Sequence, residues 1–356
     1  MRKGAATAGG TTAYRNSLGA LAKNGHFREW RGLALSSVGL GTYLGRDDDA
    51  TDALYEAAVE RALLSGINVV DSAINYRRQR SERAVGRALA RVVASGRLPR
   101  EAVMVATKGG FLPFDGPPPL GLLGAGDVVG GSHCMTPRYL EDQIERSRAN
   151  LDVETIDIYY LHNPETQLGE IPRPIFLRRL RAAFEFLERA AGDRRIGVYG
   201  AATWSGFRQP PSAREALSLP GLFALAEEIA GRDHHFRVVQ LPYNLAMTEA
   251  FTEPTQPGGR EPVSLLEAAR KLDVYVMTSA SIYQGQLVRN LPPVLSEVMP
   301  GLTTDAQRAL QFARSTPGVG TALVGLKADA HVAEAAGLAK VAPVRWSSLR
   351  KLFASA

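Results

Sequence analysis

The stretch VGLGTYLG (38–45) decides between two α/β architectures. It is glycine-rich and follows an apolar run, as the phosphate-binding turn of an open, doubly wound sheet does. That turn needs G-x-G-x-x-G and an acidic residue roughly 20 residues further on, at the end of the next strand. Here the glycines are Gly39, Gly41 and Gly45, which break the spacing. The first acidic residue to end a strand, Asp71, follows Gly41 by about 30 residues, too many for that rule. Close packing at a strand end is the simpler use of these glycines.

Short apolar runs alternate with amphipathic stretches along most of the chain. The runs are LALSSVGL (33–40), INVVD (67–71), AVMVATK (102–108), TIDIYYLH (155–162), IGVYGAA (196–202), FRVVQL (236–241), VYVMTS (274–279) and TALVGL (321–326). Periodicity predicts helices over 49–66, 81–95, 136–151, 174–192, 222–231, 261–272, 304–315 and 328–338. Ser81 and Thr136 read as caps, Pro137 as a first helical residue, and Gly66 and Gly192 as terminators. Strands alternating with helices imply parallel pairing through right-handed crossovers, and eight such units imply a closed (β/α)8 TIM barrel over 33–340. Residues 1–32 are expected to be an N-terminal extension, flexible or loosely packed, and 341–356 a C-terminal tail. The connections 109–135 and 242–260 are too long for ordinary βα loops. Both follow strands, so both are expected at the C-terminal face, shaping a pocket or closing over it.

Composition excludes several function classes. With 356 residues, 45% of them hydrophobic and 22% charged, the chain can fill a large core. The single cysteine, Cys134, rules out an intramolecular disulfide and fits a reducing compartment. No run approaches the roughly 20 apolar residues of a membrane span, and the first residues lack a signal peptide's apolar core. A cytoplasmic protein without a membrane partner is expected. Formal net charge is +6, but acids and alanines interrupt the arginines, as in RRQRSERAVGRALARV (77–92). No basic run is interleaved with aromatics, so no nucleic-acid partner is expected. HExxH and CxxC are absent, and adjacent His234 and His235 in a strand would face opposite ways, so no metal site is expected.

Taken alone, the ending of INVVDSAINY (67–76) reads as a turn. The next two strand ends change that reading. Asp71 ends the second strand with Tyr76 just beyond, Lys108 ends the third, and His162 ends the fourth. Consecutive strand ends are neighbours in a barrel, so the four side chains can converge. A free tyrosine has a pKa near 10, and an adjacent ammonium is expected to lower it. Asp71 would hold Lys108 charged, and His162 would hydrogen-bond a substrate oxygen. Such a group could protonate a developing alkoxide. None of these residues supplies a hydride; a nicotinamide cofactor would have to.

At these segments the chain resembles the aldo-keto reductase family of NAD(P)H-dependent oxidoreductases. GLGTY (39–43), GINVVDSAINYRRQRSERAVGRAL (66–89), VMVATKGG (103–110) and DIYYLHNPE (157–165) are similar to the family's strand-end signatures. The resemblance implies that Tyr76 is the general acid, tuned by Lys108 and Asp71, and that His162 orients the carbonyl. It implies cofactor contacts at Gly41, Thr42, Gln240, Ser279, Gln284, Gly285, Lys327, His331 and Glu334. Tyr199 and Gly200 stand in place of the Ser-Asn pair the family uses to hold the nicotinamide carboxamide, with Thr203 the candidate substitute. Lys327 at a helix start suits a 2′-phosphate, hence NADP(H), with NAD the other option. Substrate contacts are implied at Tyr43, Phe111, Trp204 and Tyr243. With Phe114 and Phe251 in the same long loops, they point to an apolar or ring-bearing small carbonyl or alcohol. Three readings stay open: a carbonyl reductase or the reverse dehydrogenase, a non-redox proton-transfer enzyme, and a nucleotide-sensing regulatory subunit. Oligomeric state is not legible.

Overall fold

A computed structural model describes residues 1–353; the last residues of the expected tail lie outside them. Helix α1 (Ala8–Ser17) precedes an antiparallel hairpin of β1 (Phe27–Trp30) and β2 (Leu33–Ser36). Then follow β3 (Val38–Gly41), α2 (Asp49–Leu63), β4 (Val69–Asp71), α3 (Arg80–Ala94), β5 (Met104–Gly109), α4 (Pro137–Leu151), β6 (Ile156–His162) and α5 (Arg173–Gly192). The second half runs β7 (Ile196–Ala202), α6 (Leu219–Ala230), β8 (Phe236–Pro242), α7 (Glu249–Thr252), α8 (Leu265–Lys271) and β9 (Tyr275–Ser279). It ends with α9 (Val294–Val298), α10 (Asp305–Ser315), β10 (Thr321–Gly325), α11 (Asp329–Ala336) and α12 (Trp346–Leu349). Strands β3 to β10 pair in parallel in chain order, and β10 closes on β3. This is the expected (β/α)8 barrel. Among the described residues no helix is long and apolar enough to cross a membrane.

The first apolar run, 33–40, is two strands rather than one. Leu33–Ser36 folds back on β1, and only Val38–Gly41 joins the barrel. The hairpin sends Trp30 and Leu35 into the barrel's interior cluster, and the Trp30 ring lies 4.9 Å from that of Tyr275. Asn68 stitches hairpin to barrel: its Nδ2 donates to the Ala34 carbonyl at 2.9 Å, and its Oδ1 accepts from the Ser36 amide at 2.8 Å. The stretch expected as an extension therefore contains a plug for the barrel's N-terminal end. Helix α1 is packed as well, through Tyr14, whose Oη donates to the Leu63 carbonyl at 2.7 Å.

Side-chain alternation sorts the strands into two cores. Val69, Met104, Ala106, Ile158, Tyr160, Val238, Met277 and Leu323 fill the barrel interior. Val70, Val105, Tyr159, Leu161, Tyr199, Val239, Leu241 and Val276 pack outward with helical residues such as Val59, Leu140 and Phe184. Asp71, Lys108, His162 and Gln240 share the interior parity, one step above the apolar layers. Ser81, expected as a cap, lies inside α3 and donates its hydroxyl to the Thr42 carbonyl at 2.7 Å; the cap position is Gln79 at φ 67°.

Gly200 marks a close approach. The β7–β8 register shifts between Tyr199 and Gly200, and a Cβ on Gly200 would stand 1.7 Å from the Val238 carbonyl oxygen. Gly200→Ala is expected to destabilise the fold by about 1–3 kcal/mol through overpacking, read as a lower urea midpoint at unchanged m-value. A wild-type midpoint would mean that β7 can move away at no cost.

Candidate active site

A cleft of about 900 Å³ opens among the strand ends and βα loops of the C-terminal face. At its base Lys108 Nζ donates to Asp71 Oδ2 at 2.5 Å and to the Ser72 carbonyl at 2.7 Å, and it lies 3.4 Å from Tyr76 Oη. The second oxygen of Asp71 accepts from Gln240 Nε2 at 2.9 Å. Thr42 Oγ1 donates to the Asp71 carbonyl at 3.1 Å. The Tyr76 ring meets His162 edge-to-face at 5.7 Å and Tyr43 at 4.9 Å. All four residues picked from the strand ends therefore converge.

Protonation follows from burial and these partners. Burial raises the Asp71 carboxyl, opposed by the Lys108 ammonium and the Gln240 amide. Burial also opposes charge on Lys108, but Asp71 and Tyr76 together outweigh it and its pKa is raised. The short contact between them is that of a charge-assisted pair. Burial pushes the Tyr76 phenol above its ordinary value of 10.0, and Lys108 pulls it back only in part. The lowering expected from Lys108 is thus present but outweighed, and Tyr76 keeps its proton at neutral pH. Burial, then the charge of Lys108, hold His162 well below 6.5, so it is a neutral imidazole.

Tyr43, Phe111 and Trp204 line the cleft, as do Gly41, Thr42, Thr203, Gln240, Ser279, Gln284, Gly285, Lys327, His331 and Glu334. Phe111 stands edge-to-face with both His162 and His133, at 5.0 Å each. His133 returns from the 109–135 loop, with Nε2 2.8 Å from the His162 carbonyl oxygen and Nδ1 3.2 Å from Gln167 Nε2. Burial lowers its pKa to about 4, which leaves it neutral.

Other expectations are corrected. Tyr243 does not reach the cleft. It has the outward parity, stacks on Phe312 at 5.6 Å, and bonds Thr316 Oγ1 at 3.0 Å. Tyr199 also points outward, against Phe184 and Phe236, and Gly200 carries no side chain. The residues that face the cleft at the end of β7 are Ala202 and Thr203. The 242–260 connection does not line the cleft; Phe251 packs on Trp346 and Phe353 instead. Phe114 is 57% exposed. Arg208 pairs with Glu249 at 2.6 Å. His235 bonds Glu188 at 2.7 Å while His234 sits edge-on to Phe223 at 4.5 Å, an arrangement that offers no chelate.

Some contributors escape the sequence reading. Leu44, Asn75, Val288 and Arg289 also line the cleft. Arg289 lies between β9 and α10, in a connection as long as those singled out at 109–135 and 242–260, and its length was the available signal. Two features suit a nicotinamide dinucleotide. Thr203 Oγ1 is buried without a hydrogen-bond partner beside Gln240, a vacant partner for an amide. Arg289 on the β9–α10 connection, Lys327 just before α11 and His331 in its first turn all line the cleft, where a phosphate would need cations.

Residues 37–205 match the sequence profile described as the aldo/keto reductase family. The chain is 30% identical over 142 residues to a Glycine max protein named probable aldo-keto reductase 1, covering 39% of this chain and 36% of that one. It is 32% identical over 137 residues to the 6-dehydroglucose reductase of Novosphingobium aromaticivorans, covering 38% and 40%. The matched stretch therefore spans well under half the length of either relative. Among solved structures, an aldo/keto reductase from Klebsiella pneumoniae in complex with NADP and acetate superposes with a TM-score of 0.64 at 19% identity. That superposition covers 94% of this chain and 95% of the other, and it speaks for the barrel fold.

Tyr243→Phe is expected to cost about 1 kcal/mol of stability, from the lost bond to Thr316, and to leave ligand affinity in the cleft unchanged. Calorimetric unfolding and ligand titration read the two effects separately. A large affinity change would return Tyr243 to the cleft wall.

Proposed function

We propose that the chain, which matches the aldo/keto reductase family over residues 37–205, reduces an aldehyde or ketone to an alcohol with NADPH, Tyr76 giving the proton. The observation that carries this reading is the placement of Lys108 Nζ between Asp71 and Tyr76, with neutral His162 across the ring. Thr203 and Gln240 would hold the carboxamide of the cofactor, and Arg289, Lys327 and His331 its phosphates. When bound, the nicotinamide supplies the hydride.

The chain's own groups do the rest. His162, neutral, can donate a hydrogen bond to the substrate oxygen and so orient the carbonyl. Tyr76 Oη passes its proton to that oxygen as negative charge builds. Lys108 stabilises the phenolate left behind, because an ammonium beside it favours the charged form. Asp71 and the Ser72 carbonyl hold Lys108 in place, and Gln240 holds Asp71. Phe111, Tyr43 and Trp204 exclude water around the reacting carbon. A cleft wall of these rings supports a ring-bearing or apolar carbonyl.

Tyr76→Phe is expected to lower the rate of carbonyl reduction by about 10²–10⁴-fold, the usual range for a lost general acid, and to leave NADPH affinity nearly unchanged. Titration of NADPH fluorescence and steady-state rates check both halves. A mutant at near wild-type rate would remove Tyr76 from the acid role, and absence of NADPH binding to the wild type would end the reductase reading altogether. The pH profile is a second check. Since the His162 pKa lies well below 6.5 and the Tyr76 pKa above 10.0, kcat/KM for reduction should be flat between those values. It should then fall above them as Tyr76 loses its proton. A limb near 6.5 would contradict this assignment.

A further inference from the structure

We infer that Glu165 is a positioning residue whose carboxylate holds the turn that carries Thr203 and Trp204 into the cleft. Glu165 lies in the 3-10 turn Pro164–Gly169, directly after the strand that ends at His162. It is 2% exposed. Its Oε1 accepts three successive backbone N–H groups, from Trp204 at 2.7 Å, Ser205 at 3.1 Å and Gly206 at 3.3 Å. Consecutive amides aimed at one point form an anion-binding concavity, and here the anion is part of the chain. A Cβ on Gly206 would lie 3.3 Å from the Glu165 Cβ and 3.0 Å from Leu217, so glycine keeps the approach open. No cation pairs with Glu165 among the described residues, which leaves the amides as the grip. Burial raises its pKa and the backbone bonds oppose that rise.

The turn is held from its other side too. Arg208 Nη1 donates to the Trp204 carbonyl at 3.3 Å, and Arg208 Nη2 pairs with Glu249 Oε1 of α7 at 2.6 Å. Between these grips the turn offers two groups to the cleft. One is the Trp204 ring, 43% exposed; the other is the buried, unpartnered Thr203 hydroxyl. Glu165 bonds only the backbone of this turn, so it acts through the backbone. All three bonds use one oxygen, and Oε2 is buried without a partner. An amide side chain keeps the acceptor that matters, whereas alanine removes it and aspartate draws it back by one methylene.

The inference rests on the reductase reading for its kinetic arm and on Trp204 alone for its optical arm. The full chain carrying Glu165→Ala, Glu165→Gln or Glu165→Asp is assayed with NADPH and 4-nitrobenzaldehyde, and acrylamide quenching of tryptophan emission is measured in parallel on the same variants carrying Trp346→Phe, which leaves Trp204 as the exposed emitter beside buried Trp30. Glu165→Ala is expected to raise KM for both NADPH and aldehyde by about fivefold or more, with kcat within about twofold, because the Tyr76 pair is not touched. Glu165→Gln should stay within about twofold of wild type in every constant. Quenching should increase for alanine and not for glutamine. If the alanine variant does not fold, Glu165→Asp is expected to show the same rise in KM and in quenching. Folded alanine or aspartate variants with wild-type KM and wild-type quenching would overturn the inference, as would a loss confined to kcat. A wild type that fails to bind NADPH defeats the reductase reading instead. The quenching arm then decides the role of Glu165 by itself.

Discussion

In a closed parallel barrel every second side chain must point inward, and that alternation governs both the core and the chemistry of this protein. The interior is filled by apolar residues such as Met104, Ala106, Ile158 and Tyr160. Continuing the same parity by one step brings in Lys108 and His162. The site is therefore the top layer of the core, with charge in place of hydrocarbon. Its geometry is fixed by the same register that fixes the packing, since Asp71 pairs with Ala106 and Lys108 with Tyr160 across the ladder. A slip of one residue would turn the charged layer outward.

A buried ammonium and carboxylate are costly to desolvate, and the pair survives only because its bonds are satisfied. Lys108 donates to Asp71 and to a carbonyl, and Asp71 takes its last bond from Gln240. Tyr76 feels the opposing pulls of burial and of Lys108, and burial wins. The balance leaves a phenol that holds its proton at neutral pH. Around this centre the 3-10 turn after β6 ties loops together. Gln167 reaches back to His133 of the loop after β5, and Glu165 reaches forward to the turn after β7.

Much of this was legible in the chain. Eight apolar runs spaced by helices point to the barrel, and three successive strand ends point to the buried cluster of Asp71, Lys108 and His162 beside Tyr76. Parity is also written in the sequence. Tyr199 and Tyr243 sit an odd number of residues from the inward positions Ala202 and Gln240. Their outward direction follows from that spacing, whereas Thr203 lies beyond the end of β7 and reaches the cleft from the turn, where parity no longer applies. The split of 33–40 was harder to see, because Leu33–Ser36 and Val38–Gly41 are equally apolar and only Ser37 separates them. Glu165 and His133 were hidden for another reason. They act on backbone groups distant in sequence, and backbone contacts leave no pattern in residue types.

The hairpin beneath the barrel has a consequence for how the chain reaches this state. Trp30 packs on Tyr275, about 245 residues away along the chain. A contact of that separation rewards the chain only after most of the intervening segment is ordered. The floor of the barrel is therefore a long-range closure, like the β10–β3 seam. Residues that come early in the sequence wait for late ones, and floor and seam both depend on strands from the last third of the chain.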